Sequence, residues 1–297
     1  MTMTAISASP PSIAPLCLEP VPVAAPALVS PPAQAWDCHA HVLGPFNRYP
    51  LHTPRSYTPP ESPVSAYAAL LATLGLRYGV LVQPSVYGTD NRLLTDAARQ
   101  DCADRRGVAV LGPDADSNLV AKLHAAGIRG FRINLLFAGG VGLDTLERSA
   151  ALVAPFGWHA QLLIDIRTLS EIEAVLDRLP VPVVFDHMGH FPFELGTDWP
   201  GFRSLLRRAA AGRAYVKLSG SYRLSPRATH VADVAPIAQA LVRHAPDRLV
   251  WGSDWPHVGR FDDMPATHSL LDALACWCPE PTIRQLILVE NPKQLYL

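Results

Sequence analysis

Lysine is scarce in this sequence, which contains only Lys122, Lys217 and Lys293 among 297 residues. Arginines scattered along the chain supply the rest of the positive charge, and the formal net charge is −1. Nucleic acids and anionic membrane surfaces are usually bound by clustered basic residues. The sequence therefore predicts neither a nucleic-acid partner nor a membrane partner, and it leaves the oligomeric state open.

Long apolar runs are also missing, although 49% of the residues are hydrophobic. A membrane-spanning helix needs about 20 consecutive apolar residues, and no segment approaches that length. Residues 1–34 form a Pro/Ala-rich stretch without Lys or Arg, so they lack the basic start and unbroken apolar core of a secretory signal. The five cysteines have no disulfide-like spacing. These absences predict a cytoplasmic protein with reduced thiols.

Short apolar segments alternate with longer amphipathic ones from Ala35 to the end of the chain. The predicted strands are 36–42, 78–83, 108–111, 128–134, 160–165, 183–187, 214–219 and 249–253. The predicted helices are 64–76, 90–105, 118–126, 142–154, 170–179, 200–211, 231–244, 266–277 and 282–289. Residues 1–34 are predicted to be a disordered or surface-wrapped arm, and residues 35–297 a single domain.

Eight strand–helix units over about 250 residues are typical of an α/β protein with a (β/α)8 TIM barrel fold. A doubly wound open sheet is the main alternative. Such a sheet usually has a glycine-rich phosphate loop after its first strand. No such loop follows His41, and the barrel is therefore preferred.

Polar residues collect at one end of the predicted strands, where a TIM barrel carries its chemistry. These residues are His39 and His41, Gln83 and Ser85, Arg132 and Asn134, Asp165 and Arg167, Asp186 and His187, Lys217, Ser219 and Arg223, and Ser253, Asp254 and His257. Apolar strands that become polar at the same end indicate a functional site.

The pair His39 and His41 is the most informative part of this set. Residues two apart in a strand face the same side, so the two imidazoles project together. They can hold a metal ion or bind a small polar substrate. Asp254 can act as a general base, or alternatively cap a helix ahead of Pro256. Lys217 is either part of a buried ion pair, with Asp254 or another acid, or a substrate contact.

The order of seven short motifs resembles the amidohydrolase superfamily, in its amidohydrolase-2 branch. The motifs are WDCHAHVLGPFNRYP, GVLVQPSVYGTDN, GIRGFRIN, VVFDHMGHF, VKLSGSYR, RLVWGSDWPH and ENPKQLY. Within that branch the chain is most similar to lactonases of the 2-pyrone-4,6-dicarboxylate hydrolase type. The resemblance implies a TIM barrel from about Trp36 to Tyr296 and a hydrolytic activity.

The resemblance also implies roles for individual residues. Asp254 matches the water-activating base, while His39, His41 and His187 match histidines that hold a divalent ion or polarise the scissile carbonyl directly. Tyr57, Arg132 and Arg223 match positions that bind substrate carboxylates, although Tyr57 is alternatively a packing anchor. The polar strand ends, rather than the resemblance, add the substrate-binding candidates Gln83, Ser85, Asn134 and His257. Arg132 and Arg223 would bind carboxylates, unless each is paired with a neighbouring acid.

Two family arginines are replaced in this chain, by Ala138 and by His190. These departures favour a substrate with fewer carboxylates, or a more apolar one, than the pyrone dicarboxylate. Binuclear family members bridge two ions with a carboxylated lysine on strand 4, and no lysine lies between Lys122 and Lys217. The expectation is either no cofactor or one Zn²⁺ or Mn²⁺ ion held by His39, His41, His187 and Asp254.

The predicted function is hydrolysis of a small lactone or cyclic ester that carries a carboxylate. The main alternative is a metal-dependent decarboxylase of an aromatic or unsaturated carboxylic acid, because the same branch contains such enzymes. A non-catalytic barrel that serves only in binding is a third possibility, against which the full ring of polar strand ends argues.

Overall fold

The computed structural model describes residues 14–101 and 103–297. Eight parallel strands pair in chain order around one sheet. They are β1 (Trp36–Ala40), β2 (Tyr78–Val82), β3 (Arg105–Ala109), β4 (Ile128–Asn134), β5 (His159–Leu163), β6 (Val183–Phe185), β7 (Ala214–Leu218) and β8 (Leu249–Trp251). Ala40, the last residue of β1, bridges to Trp255 in the loop after β8, and His41 N donates to Trp255 O at 2.7 Å. The predicted (β/α)8 barrel is therefore confirmed.

Helices connect the strands and cover the outside of the barrel. They are α1 (Val64–Leu74), α2 (Arg92–Gln100), α3 (Ser117–Ala125), α4 (Leu146–Val153), α5 (Leu169–Leu176), α6 (Pro200–Ala210), α7 (Ser221–Leu224), α8 (His230–Asp233), α9 (Ala235–His244), α10 (Thr267–Trp277), α11 (Pro281–Gln285) and α12 (Asn291–Tyr296). None of these helices is long and apolar enough to cross a membrane. The cytoplasmic location stays a prediction.

Apolar side chains fill the end of the barrel where the strands begin, which we call the bottom. The polar residues lie at the opposite end, the top, where the strands finish. Trp36 at the start of β1 stacks on Tyr296 of α12, with ring centroids 6.0 Å apart. Val80, Val184 and other buried strand residues belong to the same cluster. Helix α12 therefore closes the bottom, while the polar residues after the strands face the top.

Strand β3 differs from its predicted position. It begins at Arg105, within the segment predicted as a helix, and ends at Ala109 rather than at residue 111. Arg105 is buried at the start of the strand, and protein groups satisfy its guanidinium, among them Asp101 Oδ2 at 3.4 Å from Nη2. Its Nη1 donates to Arg77 O at 2.9 Å, and its guanidinium lies 5.8 Å from the ring centre of Tyr67. Helix α2 accordingly ends at Gln100.

Residues 14–34 lie against the barrel surface, whereas residues 1–13 are outside the described part of the chain. Cys17 N donates to Thr58 O at 2.9 Å, and Thr58 N donates to Pro15 O at 2.7 Å. On the other side, Leu18 N donates to Arg260 O at 2.9 Å. Residues 14–18 thus join the β1–α1 loop to the β8–α10 loop at the barrel mouth. The boundary at residue 34 stays a prediction.

Deleting residues 1–18 is expected to loosen both mouth loops. The deletion removes at least three backbone hydrogen bonds, each with a net contribution of about 1 kcal/mol. We expect faster amide exchange in residues 57–60 and 257–261, and a fall of roughly 3 kcal/mol in the free energy of unfolding. Hydrogen–deuterium exchange and urea unfolding measure these effects. Deletion of residues 1–13 is the matched control, and equal exchange in the two variants would contradict a clamping role.

Candidate active site

Three histidines surround one carboxylate oxygen at the top of the barrel. The Nε2 atoms of His39, His41 and His187 lie 3.7, 4.0 and 3.8 Å from Oδ1 of Asp254. All four side chains are buried. They come from the ends of β1, β6 and β8, which the barrel brings together. The structure thus places all four predicted catalytic residues in one cluster.

The opposite ring nitrogen of each histidine is held by a neighbour. His41 Nδ1 lies 2.7 Å from Val82 O, and His187 Nδ1 lies 2.9 Å from Ser219 Oγ. A carbonyl oxygen can only accept, so His41 Nδ1 carries the proton and its Nε2 lone pair faces Asp254. Burial, followed by the charges of neighbours such as His39, holds the pKa of His41 well below its usual range. His41 is therefore neutral.

Asp254 is ionised, with one oxygen anchored and the other open. Burial raises its pKa, but Arg223 and the histidines outweigh burial and hold the pKa well below its usual range. Its Oδ2 accepts from Arg223 Nε and from Tyr222 Oη, each at 2.6 Å. Its Oδ1 has no hydrogen-bond partner among the described residues, and neither does His39 Nε2. These two buried atoms face each other.

Unusual backbone conformations concentrate at this cluster. In the described part of the chain, the non-glycine residues with positive φ are His187, Met188, His190, Asp254 and His257. Asp254 has a φ of 62°, and His257 has a φ of 61°. Such conformations are unfavourable for side chains with a Cβ, and they often occur at functional sites. The β6 and β8 loops hold these side chains in the orientations of the cluster.

A charged network lies directly beneath the histidines. Lys217 Nζ donates to Gln161 Oε1 at 2.7 Å and to Cys38 O at 2.9 Å, and it lies 3.4 Å from Asp186 Oδ1. His39 Nδ1 lies 3.2 Å from the same Asp186 oxygen and 3.3 Å from Lys217 Nζ. Lys217 is thus a buried structural cation paired with Asp186, and not with Asp254.

Both predicted carboxylate clamps contact acids of the protein itself. Arg132 Nη2 lies 3.2 Å from Asp186 Oδ2, and Arg223 is bonded to Asp254. Arg132 Nε nevertheless has no partner within the described residues, and the same holds for Ser85 Oγ, which is also buried. Buried polar atoms without partners commonly mark ligand contacts. Burial raises the pKa of Tyr57 to about 12, so its hydroxyl stays protonated.

Three other substrate-binding candidates are engaged in loop contacts. Gln83 Nε2 donates to Asp90 O at 2.8 Å. Asn134 Oδ1 accepts from the backbone N of residues 136 and 137, at 3.0 and 3.1 Å. His257 Nε2 lies 2.8 Å from Thr267 Oγ1, and its Nδ1 lies 3.0 Å from the Tyr222 hydroxyl. The structure gives these side chains positioning contacts, and a substrate contact for them stays a prediction.

Sequence reasoning missed two important members of the site, Tyr222 and Asp37. Asp37 accepts from Ser253 Oγ at 2.6 Å, from Ser253 N at 2.8 Å and from the Tyr67 hydroxyl at 3.1 Å. It therefore joins β1 to the segment that carries Asp254. An acidic residue inside an apolar strand was the available signal for Asp37. Nothing in the local sequence distinguished Tyr222.

Comparison with known proteins gives the family. The family model described as Amidohydrolase matches residues 36–297. The chain belongs to this amidohydrolase family. The match covers the whole barrel, including every residue of the histidine and aspartate cluster, and the resemblance inferred from the motifs is confirmed.

Individual relatives of this amidohydrolase-family chain are named as lactone hydrolases. It is 33% identical to 4-sulfomuconolactone hydrolase of Hydrogenophaga intermedia, over 96% of this chain and 95% of the relative. It is 34% identical to 2-pyrone-4,6-dicarboxylate hydrolase of Comamonas testosteroni, over 89% and 90% of the two chains. An apo crystal structure from Agrobacterium tumefaciens has a TM-score of 0.82 and 28% identity, covering 90% of this chain and 97% of that one. The prediction of a hydrolase is confirmed.

Proposed function

We propose that this protein opens a lactone ring that carries an anionic group, either a carboxylate or a sulfonate. The observation that carries the proposal is the open oxygen of Asp254, which faces three histidine nitrogens inside a buried cluster. Ester hydrolysis requires a base for the attacking water and positive charge or donors at the developing oxyanion. The names of the relatives support a lactone as the ester.

The residues present fit one divalent ion. His39, His187 and Asp254 each offer a ligand atom, and these atoms lie within 4.8 Å of one another. The lone pair of His41 Nε2 is directed at the same place, where without an ion it faces the negatively charged carboxylate of Asp254. When bound, such an ion acts as a Lewis acid and lowers the pKa of water. The set of imidazoles and a carboxylate suits Zn²⁺ or Mn²⁺.

The protein's own groups orient the reaction. Tyr222 and Arg223 hold Oδ2 of Asp254, so that Oδ1 is the atom that takes the proton from water. Because its pKa is low, Asp254 is a weak base toward unactivated water, which favours the form of the site with one ion. Arg132 Nε and Ser85 Oγ are the buried donors available to the anionic group of the substrate.

Removing bound metal is expected to lower lactone turnover at least 100-fold, and one equivalent of Zn²⁺ or Mn²⁺ should restore it. The reason is that Asp254 and the neutral histidines then face water and carbonyl without a Lewis acid. Elemental analysis before and after chelation, with ring opening followed in the same samples, makes the measurement. Full turnover by the metal-free protein would reject the ion and assign carbonyl polarisation to the histidines directly.

A panel of anionic lactones and unsaturated carboxylic acids tests the reaction class. Ring opening without CO₂ release is the expected result. Release of CO₂ without ring opening would replace the proposal with the alternative decarboxylase. Binding without either reaction would indicate a protein that only binds its ligand.

A further inference from the structure

A cavity of about 510 Å³ adjoins the histidine and aspartate cluster. Tyr222 and Arg223 form its inner wall, and both are bonded to Asp254. Its outer walls come from the loops after β5, β6 and β8, which contribute Arg167, His190 and Arg260. Ser85 and Arg132, by contrast, follow β2 and end β4. The cavity therefore lies on another side of the reacting centre from these two donors.

The cavity walls carry three arginines and two carboxylates, and each of the two carboxylates has its own arginine partner. Asp165 Oδ2 lies 2.6 Å from Arg167 Nη2, and Glu194 Oε1 lies 3.4 Å from Nη2 of Arg227, which is not a wall residue. Arg260 is the remaining cation of the outer wall. Neither wall acid pairs with Arg260, so the positive charge of Arg260 is not compensated by a carboxylate of the cavity wall.

Arg260 has only a distant carboxylate for its guanidinium within the described chain. Its Nε donates to Asp263 O at 2.9 Å, while its Nη2 is 3.7 Å from Asp263 Oδ2. The Asp263 side chain is 66% exposed, whereas that of Arg260 is 19% exposed. Solvent weakens an attraction to so exposed a partner. The half-buried guanidinium therefore keeps hydrogen-bonding capacity for a ligand.

The position of Arg260 is well defined. Its guanidinium lies 5.3 Å from the ring centre of Tyr222, and its carbonyl oxygen accepts from Leu18 N at 2.9 Å. A guanidinium held in this way is suited to a planar carboxylate or to a sulfonate, because its N–H groups form a fixed fork. Little conformational freedom is lost when such an anion binds.

We propose that this cavity is a second anion subsite, in which Arg260 binds a carboxylate or sulfonate on the part of the lactone remote from Arg132. The inference rests on the proposed function and extends it to substrates with two anionic groups. It departs from the sequence-based expectation of fewer carboxylates, which followed from the arginines replaced by Ala138 and His190. Arg260 supplies a cation from a different strand end, the loop after β8.

Equilibrium binding of two inert ring acids tests the subsite. The probes are benzene-1,3-dicarboxylate and benzoate, titrated calorimetrically into the full chain and into the variants Arg260→Gln and Arg260→Lys. We expect the parent to bind the dicarboxylate more tightly than benzoate. Arg260→Gln should weaken dicarboxylate binding about tenfold, as for loss of a charge-assisted hydrogen bond, and weaken benzoate binding less than twofold. Arg260→Lys should recover part of the loss.

Arg178→Gln is the matched control. It removes the same charge from the outside of the barrel, where Arg178 pairs with Glu147 and neither residue lines the cavity. This variant should bind both acids as the parent does. Equal effects of the two Gln variants, equal weakening of both acids by Arg260→Gln, or a parent without preference for the dicarboxylate would overturn the subsite.

Lactone turnover separates this proposal from the proposed function. For Arg260→Gln, the fall in kcat/KM should be about tenfold larger for a lactone with two anionic groups than for an uncharged lactone. A parent that opens no lactone but shows Arg260-dependent dicarboxylate binding would retain the subsite and reject the hydrolase. A parent that opens lactones without any dependence on Arg260 would do the reverse.

Discussion

Replacing Asp254 with Asn is expected to lower kcat for lactone opening by about 10²- to 10⁴-fold. The amide cannot take a proton from water at Oδ1, and it removes the negative charge around which the histidines are arranged. Asn retains an oxygen that accepts from the Tyr222 hydroxyl, and Arg223 keeps its bond to Val258 O at 3.1 Å. The side-chain shape is preserved, so the loss should fall mainly on kcat and much less on KM.

Asp96→Asn is the matched control for this substitution. Asp96 accepts from Arg48 and from the Tyr49 hydroxyl on the outside of the barrel, far from the chemistry in sequence and in contacts. It should retain turnover within about twofold. Far-UV circular dichroism and thermal unfolding establish that both variants are folded. A folded Asp254→Asn protein with more than a tenth of the parent kcat would exclude Asp254 as the base.

The position of the site could be predicted from sequence because parallel strands converge. In a closed barrel all strand ends of one kind meet at one mouth, so polar residues after apolar strands must become neighbours. His39 and His41 required only the two-residue period of a strand. His187 and Asp254, more than 140 residues later in the chain, required only that the strands be counted correctly.

The direction of each side chain at that mouth could not be predicted in the same way. Arg132 follows the same rule as His39, yet two of its nitrogens contact Asp186 and Gln83 O and only Nε stays open. Asn134 turns back to its own loop. These outcomes depend on partners from other strands, and a strand pattern carries no information about them. Tyr222 illustrates the limit, because its role exists only through its contact with Asp254.

The strained loops at β6 and β8 were also beyond sequence reasoning. A positive φ at His187, Asp254 or His257 has no local signature, since glycine is the residue usually found there. The contacts that hold this unfavourable conformation come from residues distant in sequence. Asp37 on β1 accepts from both the backbone N and the hydroxyl of Ser253, which immediately precedes Asp254. The barrel closure therefore also fixes the conformation that presents the base.

Replacing Lys217 with Met is expected to lower the free energy of unfolding by about 3–5 kcal/mol. The lysine is completely buried and pairs with Asp186 inside the barrel. Without Lys217, the Asp186 carboxylate is stabilised by Arg132 Nη2 at 3.2 Å and by Gln161 Nε2 at 3.1 Å, both measured to Oδ2. Gln161 Oε1 and Cys38 O also lose a donor. A loss of this size is a large fraction of the 5–15 kcal/mol typical of folded proteins.

Urea unfolding at fixed pH measures the loss, and Lys122→Met is the matched control. Lys122 lies exposed on α3, so the same substitution there should change the free energy of unfolding by less than about 0.5 kcal/mol. The dependence on urea should be similar in both variants if the native surface is unchanged. A loss below about 1 kcal/mol for Lys217→Met would mean that the desolvation of Lys217 nearly cancels its attraction to Asp186. The buried charge under His39 would then serve the orientation of the histidine rather than the stability of the barrel.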